Sequence, residues 1–442
     1  MKVLWVKSGG FLPLDTGGKI RSYSLLKELS RRHQMSAFTF YPELEDDRHS
    51  ELQRFCSEVV LIPLALPARA SLADMLAYAK NIVAPLPYSM VKYCRPEVRQ
   101  RLRELLASRQ YDVIICDFLL TAAVIPWDVP CPKILFTHNV EAVIWKRHWQ
   151  VSRNPLFKLI SWREYRTMDQ VERMYLRAAD HVLTVSDSDR SLFSEIIDAE
   201  KITTIPTGVD LEYFSPASRP SSEQPRSLVF TGSMDWLPNE DAILYFCKEI
   251  LPVIREKLPD MKFLVVGRKP SRRVQALAAN DPGIEVTGAV PDIRPYVRGA
   301  SIYVVPLRIG GGTRIKIFEA MAMGKAVVST SVGAEGLPVA NGENILLADN
   351  PQSFADSVLL LLSDAEKREH MGRAARHLVE RHYGWSAVAA IFDSTLRNVR
   401  RQQQDQNLTM GTRHTQESAK ESQHRLPQHT AEARREEFGL NA

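Results

Sequence analysis

The chain alternates short apolar runs with stretches in which apolar residues recur every three or four positions. In the first half the apolar runs lie at 2–7, 35–40, 59–64, 113–116, 133–136 and 181–185. Helical patterns at 20–32 and 96–107 lie between them. Alternation of this kind predicts an α/β fold, because neighbouring parallel strands need a crossover element, usually a helix, to connect them.

The stretch SPASRPSSEQPRS at 215–227 is rich in serine and proline and has no apolar face, so it predicts a linker. The alternation then resumes. Strands are predicted at 227–231, 262–266, 284–286, 302–305 and 326–329, and a helix at 240–250. We therefore expect two doubly wound, Rossmann-like halves that face each other across a cleft, with ligands at the carboxyl ends of the strands.

The predicted boundaries follow from these patterns. The first half takes residues 1–207, the crossing and linker 208–227, and the second half 228–380. A helix at 381–400 is expected to pack back towards the first half. Residues 401–442 are polar and rich in glutamine, so they cannot bury enough apolar surface to offset their ordering entropy, and they are predicted to be disordered.

Composition narrows the functional classes. The net charge of +5 over 442 residues is low for a nucleic-acid binder, and none is expected as a partner. The five cysteines show no metal-ligand spacing, which argues against a structural zinc. No apolar run approaches the roughly 20 residues of a membrane span, and no signal peptide is recognisable at the start. The sequence therefore predicts a cytoplasmic protein.

The stretch RIGGGTRIKIFEAMAMGKAVV at 308–328 combines a glycine turn with a predicted helix start. A strand, a glycine turn and a helix N-terminus form an anion site, because free N–H groups and the helix dipole favour negative charge. Arg314 and Lys316 carry the wrong sign for the first turn of a helix, which a bound phosphate would explain. The alternative is a tight turn with solvated basic residues.

Glu319 lies one turn further along the same helix, among apolar neighbours. A buried carboxylate needs partners, and the vicinal hydroxyls of a ribose can donate two hydrogen bonds to it. Phosphate and diol together indicate a nucleoside diphosphate ligand. The alternative is a surface ion pair between Glu319 and Lys316. Neither a GxxxxGK[ST] nor a GxGxxG motif is present, which disfavours a P-loop or an ordinary dinucleotide enzyme.

Three stretches together resemble one known family. They are FLPLDTGGKIRSYSLLKELSRRHQM, AADHVLTVSDSDRSLF with KITTIPTGVDLEYFSP, and PLRIGGGTRIKIFEAMAMGKAVVSTSVGAEGL. In this order they are similar to the N-terminal glycine loop, the interdomain crossing and the donor-binding signature of the family-4 retaining glycosyltransferases. The resemblance covers residues 1–400. It implies the two-domain GT-B fold and transfer of a sugar from a nucleotide-sugar donor, with no metal and no cofactor.

The resemblance also assigns residues. It implies that the donor diphosphate is held at Gly311, Gly312, Thr313, Arg314 and Lys316, and the ribose by Glu319. From the first half, Gly17 and Gly18 would bring the N-terminal loop close to the phosphate and the sugar. The base would lie near 288–290.

The sequence departs from the family in three places. Gly311 stands where most members have the first of two glutamates. Ser233 and Pro238 stand where many members carry an arginine and a lysine for the phosphates. We expect Arg314 and Lys316 to supply that charge.

The third departure is Asp117, which ends its strand where several members have a histidine. Asp117 and His138 both follow predicted strand ends and are the candidate catalytic residues. Asp117 would accept the acceptor proton or stabilise positive charge on the sugar, and His138 would bind the sugar or a phosphate. Glu141 on the same loop is a weaker candidate. The alternatives are a strand-end cap for Asp117 and a satisfied polar residue for His138.

The segment 142–177 has eight Lys and Arg against three Asp and Glu, interleaved with aromatic residues that include Trp145, Trp149, Phe157, Trp162 and Tyr165. Such a helix can lie on anionic lipid, which predicts a peripheral membrane contact at the inner face of the membrane and suits a lipid-linked acceptor. The alternative is a solvated helix whose aromatic residues pack on the first half.

The function that these observations favour is a hexosyltransferase in cell-surface polysaccharide or glycolipid synthesis, with a nucleotide sugar as donor and a glycan or lipid-linked acceptor. Two alternatives stay open: a nucleotide-sugar epimerase on the same fold, and a donor-binding scaffold without catalysis.

Overall fold

The computed structural model describes residues 1–14, 16–41, 47–67, 71–152, 154–216, 226–309 and 315–424. The chain divides into two compact units, Met1–Asp393 and Ser394–Ala442. The strands are β1 (Lys2–Ser8), β2 (Gln34–Tyr41), β3 (Glu58–Pro63), β4 (Val113–Asp117), β5 (Lys133–Phe136), β6 (His181–Thr184), β7 (Ile202–Thr204), β8 (Ser227–Thr231), β9 (Lys262–Val266), β10 (Ile284–Gly288), β11 (Ile302–Val305), β12 (Val327–Ser329) and β13 (Leu346–Leu347). The helices are α1 (Gly17–Ser30), α2 (Leu72–Lys80), α3 (Tyr88–Val91), α4 (Pro96–Ser108), α5 (Glu141–Val151), α6 (Pro155–Ala178), α7 (Asp187–Ser194), α8 (Leu237–Tyr245), α9 (Leu251–Lys257), α10 (Arg272–Asn280), α11 (Arg294–Gly299), α12 (Ile315–Ala322), α13 (Pro351–Ser363), α14 (Ala365–His382) and α15 (Trp385–His424).

The first sheet has seven parallel strands in the order β3-β2-β1-β4-β5-β6-β7. Its central strands are continuous apolar runs because helices cover both faces, and every residue of β4 is buried. The strand order reverses between β1 and β4. At such a switch point the connections leave on opposite faces, and a crevice opens at the carboxyl ends of the two strands.

The second sheet repeats this plan with six parallel strands in the order β10-β9-β8-β11-β12-β13. Its order reverses between β8 and β11, so the loops after these two strands form its crevice. The loop after β11 leads directly to α12. The two doubly wound sheets that the sequence predicts are therefore both present.

Most predicted elements are found within a few residues of their expected ends. The predicted helix at 240–250 instead begins at Leu237, with Pro238 in its first turn, where a missing N–H costs nothing. It ends at Tyr245 and passes through a π-helical turn before α9. Strands β7 and β13 were not predicted because they have three and two residues, too few to show a period. Most of the predicted linker, 217–225, lies outside the described residues.

The carboxyl end of the chain differs from the prediction. Residues 381 and 382 complete α14, and α15 then runs from Trp385 to His424, through 401–424 where disorder was predicted. The physical reason is that this stretch is polar but consists largely of good helix formers without proline, and lack of a core does not exclude a helix. Residues 425–442 lie outside the described part. No helix within the described ranges is long and apolar enough to cross a membrane.

Candidate active site

A buried ion pair marks the switch point of the first sheet. In the register of β1 and β4, Lys7 is the partner of Asp117. The Lys7 Nζ atom lies 3.5 Å from Oδ2 of Asp117, and both side chains are almost fully buried. Each strand thus ends its apolar run with a charged residue at the same edge of the sheet, which is where a ligand crevice is expected.

Both carboxylate oxygens of Asp117 have hydrogen-bond donors. Trp5 Nε1 donates to Oδ2 at 2.8 Å, and His138 Nε2 donates to Oδ1 at 2.7 Å. Burial alone would raise the pKa of Asp117, but the charge of Lys7 and the interactions with His138 outweigh it and lower the pKa to about 2. Asp117 is therefore a permanent anion at neutral pH.

His138 connects this carboxylate to an arginine. Its Nε2–H is given to Asp117, so Nδ1 is the acceptor of the neutral ring and receives a hydrogen bond from Arg21 Nη1 at 3.0 Å. Burial lowers the pKa of His138 to about 4, against the opposing effect of Asp117. The ring is thus neutral, with one tautomer fixed by its two partners.

Arg21 comes from α1 and contacts two other parts of the chain. Besides His138, its Nη2 atom donates to Oγ1 of Thr207, which lies at the end of the first half. Its Nε atom is buried without a hydrogen-bond partner among the described residues. Burial lowers the pKa of Arg21 to about 10, which still leaves the guanidinium charged at neutral pH. Like the carboxylate of Asp117, this Nε–H is enclosed by the protein.

Phe118 covers this network in a strained backbone conformation, with φ at +69°. Its ring stacks on His138 with centroids 3.8 Å apart, and Lys7 Nζ lies 4.0 Å from its centroid. A Cβ atom on Gly18 would lie only 2.5 Å from Cζ of Phe118. Gly18 is therefore required for close packing at the site, while Gly17 begins α1 behind the N-cap Thr16.

The geometry favours an anchoring role for Asp117 over the predicted role of proton acceptor. A carboxylate with a pKa of about 2 and both oxygens occupied is a weak base that no substrate reaches. Instead it orients His138 and neutralises Lys7. The network of Lys7, Arg21 and Asp117 keeps one net positive charge, which suits an anionic ligand.

The candidate donor residues of the second half lie at the other switch point. Lys316, in the first turn of α12, places Nζ 2.7 Å from Oδ1 of Asn239 and 4.2 Å from the ring centroid of Phe230. Phe230 is in β8, and a Cβ on Gly232 just after it would lie 2.8 Å from Nζ. Lys316 therefore crosses from the loop after β11 to the end of β8.

A second cation reaches the same place. Arg268, which follows β9, donates from Nε to Oγ of Ser233 at 2.9 Å. Arg314 and Lys316 were expected to supply the charge that Ser233 and Pro238 do not carry; Lys316 lies beside Asn239, and Arg268 adds a second cation at Ser233. Sequence reasoning missed Arg268. Arg314, the other residue expected to supply charge, lies outside the described residues, as do Gly311, Gly312 and Thr313.

Glu319 lies one turn after Lys316 on α12 among buried neighbours; the residue as a whole keeps some solvent exposure, but its carboxyl group is surrounded by protein. Burial raises its pKa to about 7, and the charge of Lys316 opposes that shift. Its carboxylate makes no hydrogen bond within the described part of the chain, in contrast to Asp117. A carboxylate that is desolvated but not bonded is suited to accept hydrogen bonds from a ligand. The alternative interpretation required an ion pair between Glu319 and Lys316, and these two described residues form none.

A chain of contacts links α12 to the Asp117–His138 network. Phe318 stacks on Tyr383 with centroids 4.3 Å apart. The Tyr383 carbonyl accepts a hydrogen bond from the Val209 N–H at 2.7 Å, and Val209 lies two residues after Thr207, the partner of Arg21. The elements that carry the two groups of candidate residues are therefore mechanically connected.

Sequence reasoning found Asp117 and His138 but missed Lys7 and Arg21. Lys7 could have been predicted from the sequence, because it ends an apolar strand as Asp117 does. The ends of parallel strands meet at one edge of the sheet, so the two residues were candidates for the same site. Arg21 gave none, since its contact with His138 spans 117 positions of sequence. Glu141, the weaker candidate, begins α5, and burial raises the pKa of its carboxyl group. Within the described residues, no cluster of His, Cys, Asp and Glu is arranged to hold a metal.

Two family models match the sequence one after the other. "Glycosyltransferase Family 4" matches residues 16–213, and "Glycosyl transferases group 1" matches residues 225–364. Together they run from α1 to α13, and β1 lies before the first match. A Klebsiella pneumoniae relative described as "Uncharacterized 44.6 kDa protein in cps region" is 22% identical over 88% of this chain and 99% of its own length. Phosphatidyl-myo-inositol mannosyltransferase of Mycobacterium tuberculosis is 28% identical over 47% of this chain and 57% of its own length.

Solved structures share the architecture. Sucrose-phosphate synthase from Thermosynechococcus elongatus superimposes with a TM-score of 0.64 at 20% identity, covering 90% of this chain and 98% of the synthase. HepE from Anabaena, solved in complex with UDP, gives a TM-score of 0.62 at 14% identity and covers 90% of this chain and all of HepE. At these identities the likeness establishes the fold, which is GT-B.

Proposed function

Because this chain belongs to the family-4 glycosyltransferases with the GT-B fold, we propose that it moves a hexose from a nucleotide-diphosphate sugar to an acceptor hydroxyl with retention of anomeric configuration. The observation that carries the proposal is the placement of Lys316 and Glu319. Both project from α12, directly after the switch-point strand β11, with a cation and a carboxylate one turn apart. That spacing matches the diphosphate and the ribose of a donor.

In this proposal the leaving diphosphate is stabilised without a metal ion. Lys316 supplies a point charge, the start of α12 supplies backbone N–H groups, and Arg314 adds a second charge. Gly311, Gly312 and Thr313 let the chain approach the phosphates. Arg268 reinforces the charge from the end of β9. Cations fixed in place before the reaction act where negative charge develops, so they lower the barrier to departure of the diphosphate.

Glu319, in its carboxylate form, accepts hydrogen bonds from the two ribose hydroxyl groups. Desolvation in the free protein raises its pKa to about 7, and the diol restores the lost hydrogen bonds. The base lies at the end of β10, where Gly288 has φ at +71° and open space on the side of a missing Cβ. The HepE complex with UDP shows that a protein of this fold binds such a ligand.

The first half binds the sugar and the acceptor. Neutral His138 is held by Asp117 and Arg21, and the charge of Lys7 lies beside Asp117. Gly17 and Gly18 let the start of α1 approach the ligand. We assign no enzyme nucleophile. Asp117 and His138 act here by orientation and charge.

The acceptor is proposed to be a glycan or a lipid-linked saccharide of the cell surface, modified at the inner face of the membrane. The Klebsiella relative is described by its place in a cps region, and the mycobacterial relative by its phosphatidyl-myo-inositol substrate. Both descriptions support an acceptor of this class.

The first test is binding of UDP, GDP, ADP and CMP, and of their sugar conjugates, by thermal shift and calorimetry with EDTA present. One nucleoside diphosphate should stabilise the protein, and Lys316→Met should weaken its binding at least tenfold. Lys257→Met is the matched control, because Lys257 ends α9 at the opposite edge of the second sheet. Binding that needs a divalent metal would contradict the metal-free proposal.

Turnover separates the remaining alternatives. With the donor that binds, a retaining transferase gives a product whose anomeric configuration, read by NMR, equals that of the donor. An epimerase would interconvert sugars without an acceptor, and a scaffold would bind the nucleotide without consuming it. Either result would overturn the proposed function.

A further inference from the structure

Two neighbouring segments of the first half expose large apolar side chains. The first is α2 with the turn that follows it, and the second is the first half of α6; together residues 72–86 and 155–166 are called the apolar tip. The exposed apolar residues of the tip are Leu72, Met75, Leu76, Ile82, Val83, Leu156, Phe157, Leu159 and Trp162. Val83 is 89% exposed and Leu72 is 73% exposed. A patch of this kind marks an interaction surface.

Hydrogen bonds hold the two segments of the tip together. Arg163 on α6 donates hydrogen bonds to the carbonyl groups of Asn81, Ile82 and Ala84 at 3.1, 3.1 and 2.9 Å. The guanidinium is in turn paired with the buried carboxylate of Glu164. Arg163 therefore fixes the turn after α2 against α6. The apolar side chains are held outward by an internal polar framework.

Helix α2 contributes nothing to the core. None of its nine residues is buried, although its sequence, LADMLAYAK, is mostly apolar. An amphipathic helix normally turns its apolar face towards the core. Here the exposed residues include Leu72, Met75 and Leu76, which recur at three- and four-residue spacing and so lie on one face. That face points to solvent.

The charges around the tip are positive. Lys80, Lys158 and Arg166 are exposed. The tip contains two carboxylates, and both are already engaged: Asp74 pairs with Lys92 at 2.7 Å, and Glu164 is buried. Large apolar groups ringed by cations are complementary to a bilayer with anionic headgroups, since the apolar groups enter the acyl boundary and the cations meet the headgroups.

We propose that the apolar tip inserts into the surface of an anionic lipid bilayer and holds the enzyme there. The sequence predicted a membrane contact through residues 142–177, and the proposal places that contact at residues 72–86 and 155–166 instead. From Ser161 onwards α6 buries one face, which includes Met168, Val171 and Leu176, whereas the apolar side chains at its beginning are exposed. Helix α2, which the basic–aromatic pattern did not include, supplies the rest of the surface.

A second copy of the chain fits this surface less well. A symmetric contact would place the same three cations against one another, and like charges across an interface oppose association. A bilayer supplies the opposite charge along with an apolar interior. The proposal does not depend on the donor site, so it can be tested without any nucleotide.

The test is co-sedimentation of the full chain with vesicles of phosphatidylcholine alone and of phosphatidylcholine with phosphatidylglycerol, at low and high salt. We expect the protein to pellet with the anionic vesicles at low salt, and less at high salt because the charges are screened. The double variant Val83→Asp with Leu156→Asp should lower the partition coefficient at least tenfold. Both sites are exposed, so the variant should melt like the wild type.

The matched control is Met174→Asp. Met174 is also on α6 and is 49% exposed, but it lies outside the tip. It should bind vesicles as the wild type does. Equal loss of binding in this control, unchanged binding in the double variant, or no binding to anionic vesicles would each overturn the proposal. A concentration-dependent dimer that the double variant abolishes, seen by sedimentation velocity without lipid, would assign the tip to a second copy instead.

Discussion

The buried pair of Lys7 and Asp117 allows a quantitative prediction about Asp117→Asn. The amide keeps the shape of the carboxylate but removes its charge. Lys7 then stays in the interior without a counterion, and one donor, from Trp5 or His138, faces an NH₂ group. Removing one partner of a buried ion pair costs about 3–5 kcal/mol. We expect a loss of this size in the free energy of unfolding at pH 7.

The pKa of Asp117 provides a second estimate. An unperturbed aspartate has a pKa of 3.8, and the fold lowers the pKa of Asp117 to about 2. That difference corresponds to about 2 kcal/mol of stabilisation at neutral pH. Because the folded-state pKa is lowered, the stabilisation is complete above pH 3.8 and is lost as the pH falls through about 2. The gap between wild type and variant should therefore persist at pH 4.

The assay is urea unfolding followed by tryptophan fluorescence, which includes Trp5 at the site. Lys7→Met and the double variant complete a double-mutant cycle. The double variant should lose less unfolding free energy than the two single variants together, by at least about 2 kcal/mol. Asp128→Asn is the control, since its pair with Arg103 is exposed and screened by solvent, so this variant should unfold like the wild type. A loss below 1 kcal/mol for Asp117→Asn, or additive losses in the cycle, would refute the reasoning.

Three further predictions concern other groups. Gly18→Ala places a Cβ 2.5 Å from Cζ of Phe118 and should cost about 1–3 kcal/mol, while Gly299→Ala, with nothing within 4 Å, should leave the melting temperature unchanged or raise it. Burial raises the pKa of Glu319 to about 7, so affinity for the nucleotide sugar, whose diphosphate does not titrate in this range, should increase from pH 6 to pH 8; calorimetry should show a flat profile for Glu319→Gln, and an equally steep one would contradict the ribose assignment. Burial raises the pKa of Glu172 to about 8, so its stabilising effect is complete below its unfolded-state pKa and is lost as the pH rises through 8. Between pH 5 and pH 9 the melting temperature should fall less for Glu172→Gln than for the wild type. An equal fall in both proteins would show that Glu172 is not the cause.

The strands were predictable because a parallel strand buried on both faces is a continuous apolar run, as in Val113–Asp117. The same rule located Asp117 and His138, since the ends of parallel strands meet at one edge. The role of Asp117 was not predictable. Its pKa depends on Lys7, a residue 110 positions away that reaches it only after β1 and β4 have paired.

The apolar tip shows the opposite limit. A pattern of basic and aromatic residues located one of its two segments, but the pattern extends along the whole of α6, and packing buries one face of that helix from Ser161 to Leu176. Exposure is a property of the tertiary structure. Leu72 and Val83 have the same sequence character as core residues, and only the fold shows that they lie outside it.

The first strand and the last helix of the Met1–Asp393 unit also set the order in which the protein is completed during synthesis. Trp5 stacks on Phe392 with centroids 5.5 Å apart, Phe136 meets the same ring edge-on, and Asp393 accepts a hydrogen bond from His33 at 2.8 Å. At translation rates of about 5–20 residues per second, Trp5 leaves the ribosome roughly 20–80 seconds before Phe392 does. Throughout that interval the nascent first sheet lacks a covering for this face. The first sheet is therefore covered on this face only after Phe392 has been synthesised. A truncation before Phe392 would leave the first sheet, rather than the second, exposed to aggregation.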